Sequence, residues 1–150
     1  MKTIFISLLV TLYHFIYRII IGETISKIYT SKNINYNSKL LYEIDFEKKL
    51  YEIIKVKQWK KYVITAKPYK FNLYQRSFEE VLKSMIIAEK VHIICFFLSY
   101  LPLLLINLFG SPFAFIITSF LASLIDLACV IIQRYNIPRI LFLIKQKETI

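Results

Sequence analysis

VHIICFFLSYLPLLLINLF (91–109) and FAFIITSFLASLIDLACVII (113–132) carry one formal charge between them, at Asp126. Each run of nineteen or twenty residues is long enough, as a helix, to cross a hydrocarbon core of about 30 Å. Gly110-Ser111-Pro112 separates them, and this is turn chemistry. The stretch therefore reads as a hairpin of two membrane-crossing helices with a very short connection. Just upstream, Ser77-Phe78-Glu79-Glu80 is an S-x-x-E capping box before an apolar run, so a helix is expected to begin there. No Gly or Pro interrupts residues 78–101, and nothing in composition stops that helix before Pro102.

Outside the hairpin the material changes. Residues 4–21, IFISLLVTLYHFIYRIII, form another apolar segment, broken by Thr11, His14 and Arg18. Only Lys2 precedes it, and no small-residue cleavage pattern follows at Gly22-Glu23-Thr24. Residues 1–21 read either as a retained anchor or as a cleaved, signal-like segment. Residues 22–90 hold fourteen Lys/Arg and eight Asp/Glu. Turn formers make residues 31–38 loop-like. DFEKKLYEIIKVKQWKKYVI follows, with Phe46, Leu50, Ile53 and Ile54 at helical spacing. A helix over about 45–63 is expected, flanked by lysines and interleaved with Tyr51, Trp59 and Tyr62. It suits a membrane surface carrying anionic headgroups, and equally a solvated helix packed on its neighbours.

The composition agrees with this division. The chain of 150 residues is 57% hydrophobic and 16% aromatic, with a net charge of +10. A soluble domain is usually about 45–50% apolar. The length allows one domain at most. Nucleic-acid binding is excluded by distribution: the basic residues border apolar spans, and no helix-turn-helix or zinc signature is present. The two cysteines, Cys95 and Cys129, lie inside apolar runs and show neither a disulfide framework nor metal-ligand spacing. The fold class expected is all-α: a small integral membrane protein. It has an N-terminal apolar segment (1–21), a basic amphipathic helical region (22–76) and a C-terminal transmembrane hairpin (77–150). Lys83 and Lys90 flank one end of the hairpin, and Arg134, Arg139, Lys145 and Lys147 the other. The positive-inside rule then places both ends, the central region and the C-terminus in the cytoplasm of a multi-pass cell-membrane protein.

Polar residues inside such a hairpin are few. In a tight antiparallel hairpin turning near residue 110, residues at equal depth sum to about 221, using the 1.5 Å rise per helical residue. Asp126 then lies opposite Cys95 and His92 opposite Cys129, while Glu89, Gln133 and Arg134 come to the same end. Glu89 and His92, three apart, share a helical face. An Asp inside a bilayer costs about 2.5–3.5 kcal/mol on insertion scales, so Asp126 needs a partner, and His92 is the nearest candidate. One reading is an interfacial active site: His92 as general base, oriented by Glu89 or Asp126, with Arg134 or Arg139 holding an anionic group or oxyanion. The other is a packed polar network that locks the hairpin. No H-x4-D acyltransferase box, G-x-S-x-G, P-loop, G-x-G-x-x-G or H-E-x-x-H occurs. Neither a metal nor a cofactor is called for.

The run Gln133-Arg134-Tyr135-Asn136-Ile137-Pro138-Arg139 resembles the QRYNRPR signature of the glycosyl-4,4'-diaponeurosporenoate acyltransferase family, small membrane proteins of staphyloxanthin-type carotenoid biosynthesis. Phe46-Glu47-Lys48 and Val56-Lys57-Gln58-Trp59-Lys60 are similar to that family's F-E-K and R-K-W-K elements, and Ala88-Glu89-Lys90-Val91-His92 to its R-A-E-x-x-H element. The resemblance covers about residues 44–142. It implies transfer of a fatty acyl group to a sugar hydroxyl of a glycosylated carotenoid. The substrates would be a lipid-soluble glycoside and a fatty acyl donor. It carries over Trp59, Lys60, Glu89, His92, Gln133, Arg134, Tyr135, Asn136, Pro138 and Arg139 as site residues. Four positions depart from it: Ile87 and Ile137 stand where the family has arginine, Asp126 where it has asparagine, and Ala128 where it has proline. A non-catalytic membrane protein, acting as partner or assembly factor for another membrane enzyme of the pathway, is the competing function.

Overall fold

The computed structural model describes residues 2–30, 35, 37–63, 65 and 67–148. Most of the loop-like stretch 31–38 lies outside the described residues. Six α-helices run α1 Lys2–Thr30, α2 Asp45–Ile53, α3 Val56–Trp59, α4 Phe78–Leu98, α5 Ile106–Phe109 and α6 Pro112–Glu148, and no strand occurs among the described residues. Three stretches are long and apolar enough to cross a membrane: Lys2–Tyr29, Phe78–Phe109 and Pro112–Lys147. The all-α class expected from the sequence is the one found, and the N-terminal segment and both arms of the hairpin supply these apolar stretches. The chain divides into two compact units, the first from residues 1–30 with Lys90–Ala128, the second from residues 31–89 with 129–150.

In the first unit α1 runs parallel to α6. Thr3 Oγ1 meets Ser111 Oγ at 3.4 Å, and Arg18 meets Asp126, so the same offset of 108 holds at both points. Between them Ile6 and Val10 pack on Ala114 and Phe115, joined by Leu103 and Ile106. Beside Phe115 and Asp126, the buried face of α6 in this unit is made of small residues, Ala114, Ser119, Ala122 and Ser123, which lets helix backbones approach closely. The outer faces are the reverse: Leu8, Phe15 and Ile19 on α1 and Phe113, Ile117 and Ile125 on α6 are all more than half exposed. Apolar cover of that extent is what hydrocarbon, rather than water, solvates. Gly110 (φ 67°) and Ser111 (φ 58°) make the reversal into α6, which starts on Pro112. Residues Leu101–Leu105 wind as a 3-10 segment around Pro102, so the first arm of the hairpin is not one continuous α-helix.

In the second unit Val81, Leu82 and Met85 of α4 pack on Ile137, Ile140, Leu141 and Ile144 of α6, with Leu41 closing the cluster. Both sets recur at three and four residues, the stripe of packed helices. The capping box forms as the sequence predicts: Ser77 Oγ accepts from the Glu80 amide at 3.2 Å, and Glu80 Oε2 accepts from the Ser77 amide at 3.0 Å. One expectation changes. The helix anticipated over about 45–63 breaks at Ile54–Lys55, where Lys55 adopts φ 51°, and resumes as α3 and a 3-10 turn over Lys60–Tyr62. Of its side chains Tyr51 is buried, while Phe46 and Ile53 of the apolar stripe are exposed. The cause is polar. Glu47 on that inner side is drawn to Arg134, and Tyr51 packs edge-on against Tyr135 at 5.5 Å. The QRYNIPR run is helical and continues α6 with Pro138 inside it.

Candidate functional site

Asp126 is completely buried in the first unit, and two helices reach its carboxylate. From α4, His92 Nδ1 lies 2.9 Å from Oδ1, and from the turn just after it Ser99 Oγ lies 3.5 Å from Oδ2. His92 and Ser99 straddle Cys95, the level that the hairpin register assigns to Asp126. From α1, Arg18 Nη2 donates to Oδ2 at 2.5 Å and Nε to Oδ1 at 3.4 Å. Arg18 also donates to the Ala122 carbonyl at 3.0 Å and the His14 carbonyl at 2.5 Å. Tyr17, on the same turn, bonds Ser99 Oγ at 2.8 Å and donates to the Cys95 carbonyl at 3.1 Å. A carboxylate removed from water is tolerable when a cation and hydrogen bonds satisfy both oxygens, and here they do. The His92 side chain is 27% exposed, so the imidazole stands between the buried carboxylate and the surface of the unit. With Nδ1–H donated to Asp126, the basic lone pair resides on Nε2.

The second unit gathers the other residues that the sequence singled out. Arg134 Nε and Nη2 donate to Glu47 at 2.9 and 2.8 Å, and the same guanidinium reaches the Leu40 carbonyl and, at 3.2 Å, that of Tyr42. Glu89 Oε1 lies 3.9 Å from Arg134 Nε. Burial works to raise the Glu47 carboxyl, but the hydrogen bonds from Arg134 and the Ile44 amide outweigh it and hold the group below the usual carboxylate range. Arg134, offered by the sequence as an oxyanion holder, is thus engaged in pinning residues 40–47 onto α6.

Tyr135 carries two cations on its ring: the Arg139 guanidinium 3.5 Å and Lys60 Nζ 4.7 Å from the centroid. Lys60 also donates to Asn136 Oδ1 at 2.9 Å, and Arg139 to Glu43 at 2.7 Å. Burial, with the charges of Arg139 and Lys57, holds the Lys60 ammonium below the ordinary lysine range. Trp59 turns its Nε1–H back to the Ile54 carbonyl at 2.8 Å, satisfying the end of α2. Gln133 keeps its Oε1 buried without a hydrogen-bond partner. An open groove of about 400 Å³ runs along Glu43, Pro138, Arg139, Phe142 and Leu143. Ile137, one of the two positions where the resemblance expects arginine, is fully buried in the α4–α6 core, where an arginine would displace that packing.

The sequence reading drew Glu89, His92, Asp126, Gln133 and Arg134 into one interfacial site. The structure joins His92 to Asp126 in the first unit, and Glu89 to Arg134 in the second. What sequence reasoning missed is Arg18, with Tyr17 and Ser99. The signal was present: Arg18 and Asp126 are the only formal charges inside the three apolar runs, and they are opposite. Among the described residues no group of three or more His, Cys, Asp and Glu is placed to hold a metal ion.

Compared with known proteins, residues 26–146 match the family model described as glycosyl-4,4'-diaponeurosporenoate acyltransferase. No curated protein and no solved structure matches the chain.

Proposed function

Because the chain belongs to the glycosyl-4,4'-diaponeurosporenoate acyltransferase family, we propose that it esterifies a sugar hydroxyl of a glycosylated carotenoid with a fatty acyl group, using His92 as general base. The observation that carries this is the 2.9 Å bond between His92 Nδ1 and the fully buried Asp126. His92 Nε2 takes the hydroxyl proton as the sugar oxygen attacks the acyl carbonyl. It returns that proton to the leaving group when the tetrahedral intermediate collapses. Asp126 fixes the ring and its tautomer. Both substrates dissolve in lipid, so a base mounted on apolar helices meets them where they reside. Lys60 and Arg139, paired over Tyr135, are the cations suited to an anionic substrate group, with Trp59, Gln133 and Asn136 around them; Arg134 and Glu89 support that surface. The hairpin crosses the membrane with Lys90 and Arg134 at its cytoplasmic end. The exposed Phe46 and Ile53 of α2, with the lysines beside them, lie against anionic headgroups.

The test is mass spectrometry of pigments and lipids after deletion of the gene and its return as wild type or His92→Gln. Loss of a general base costs on the order of 10²–10⁴ in rate. Acyl glycoside should therefore vanish from the His92→Gln strain while the protein remains in the membrane. Ester formation near the wild-type level by His92→Gln would sink the catalytic assignment. The Arg18–Asp126 ion pair favours a second reading, a non-catalytic assembly protein locked by that network. Under it, His92→Gln removes the folded protein or leaves the pigment unchanged.

A further inference from the structure

The N-terminal apolar stretch reads from composition as either a leader or an anchor, and the contacts of α1 separate the two. Arg18 meets both oxygens of Asp126, at 2.5 and 3.4 Å, while its other donors fasten it to backbone carbonyls on α6 and on its own helix. Tyr17 is buried and ties α1 to Cys95 of α4 and to Ser99 in the turn that follows it. Ile6 and Val10 fill the seam against Ala114 and Phe115. Removal of α1 would leave Asp126 as a buried carboxylate facing His92 with no permanent cation, and would open the small-residue face of α6 to lipid. The family match begins at residue 26, so Arg18 lies outside the region that the relatedness covers.

We propose that α1 is a permanent wall of the site in the first unit, and that Arg18 is the positioning residue that holds the Asp126 carboxylate in place for His92. A guanidinium suits this role because its planar fork addresses both carboxylate oxygens at once, whereas an ammonium is a single point charge. The carboxylate so fixed can orient the imidazole in one direction only. The part of the proposal that concerns turnover rests on the reading of His92 and Asp126 as the acid–base pair; the part that concerns α1 rests on contacts alone.

Three measurements on the full-length chain with a C-terminal tag test it. The intact mass of protein purified from membranes should include residues 2–30; a chain beginning beyond α1 overturns the proposal. In the doubly substituted Thr3→Cys/Ser111→Cys protein, oxidation in native membranes should give an intramolecular crosslink that either single variant lacks. The two side-chain oxygens are 3.4 Å apart, and failure to crosslink overturns the docking of α1. For turnover, Arg18→Lys retains the charge and so the assembly, but should lower kcat tenfold or more with KM unchanged. Wild-type kcat in Arg18→Lys removes the positioning role. The first two results require no acyl transfer, so their failure condemns this proposal and leaves the reaction standing. A wild-type protein without activity condemns the reaction and leaves the placement of α1 to the mass and the crosslink.

Discussion

The first unit and the second satisfy their charges in opposite ways. In the first, Arg18 and Asp126 are the only ions within the apolar runs, and each has its hydrogen-bonding capacity directed at the other, at His92, Ser99 and at backbone carbonyls. In the second, sixteen Lys/Arg and eight Asp/Glu are distributed over residues 31–89 and 129–150. Ion pairs there range from largely shielded Arg134–Glu47 to more open Arg76–Glu80. The difference follows from the solvent each unit is built for. Where water is excluded, an unmatched charge is ruinous and a matched one is rigid. Where water is present, a surplus of positive charge costs little and is available to attract anions. The proposed reaction on a lipid-dissolved glycoside would use both: His92 fixed inside apolar walls, and a basic surface that meets polar groups.

The comparison breaks most sharply at Asp126. Asp126→Leu leaves the Arg18 guanidinium among apolar side chains with no carboxylate. Breaking one partner of a buried pair costs about 3–5 kcal/mol. Yield of membrane-inserted protein and its melting temperature in detergent should both fall steeply. Arg18→Leu in the same chain should recover much of that loss, because two matched apolar residues need no solvation, while acyl transfer stays absent. If the single variant melts like wild type, the first unit is wetter than its contacts indicate.

Arg134→Gln is the matching change in the second unit and should be milder. Its pair with Glu47 is 17% exposed on both sides, and its carbonyl contacts pin residues 40–47. Removing a partly buried charged hydrogen-bond donor costs about 1.5–3 kcal/mol. Protease sensitivity should rise at residues 40–47 first. An unchanged digestion pattern would mean that the α2 segment is held by Tyr51 and Leu41 alone.

The comparison shows why the sequence disclosed one unit better than the other. The hairpin, its turn at Gly110-Ser111-Pro112 and the proximity of His92 to Asp126 were legible because a short connection between two apolar helices fixes their register. The capping box at Ser77–Glu80 was legible because it is a local interaction. Arg18 was marked only by its charge, opposite to that of Asp126; where it docks was not legible, since no spacing rule relates α1 to α6 across more than eighty intervening residues. The inner face of α2 was not legible for a related reason. Apolar periodicity marks Phe46 and Ile53, which stay exposed, whereas the packed face is chosen by Glu47 and Tyr51 through Arg134 and Tyr135, some 87 and 84 residues away. Side chains that gather distant partners override a weak local stripe.

Acid should separate the units further. The folded state holds the Glu47 carboxyl below its unfolded value near 4.5. Folding therefore gains from its ionised form above about pH 4.5, and that gain is lost as pH falls through the lower folded value. Wild-type protein should lose melting temperature over that interval more than Glu47→Gln does, and the two curves should converge at the acid end. Parallel curves would show that Arg134 does not depend on this carboxylate.

The smallest expected effect is at Ser77, where the comparison can be followed within a single helix. α4 starts in the second unit and continues into the first, with the division between Glu89 and Lys90. Ser77→Ala removes the side-chain acceptor for the Glu80 amide, while the backbone amide at 77 still donates to the Glu80 carboxylate. Loss of such a cap costs about 1 kcal/mol. Because helix ends fray locally, hydrogen exchange should quicken over residues 78–82 by roughly fivefold, the factor that about 1 kcal/mol implies. Amides at His92 to Leu98 are held by a turn-by-turn ladder and by side chains that bond Asp126, so their exchange should not change. Equal acceleration along the whole of α4 would mean that the helix opens as one piece, and that the cap at Ser77 helps hold His92 on the same helix.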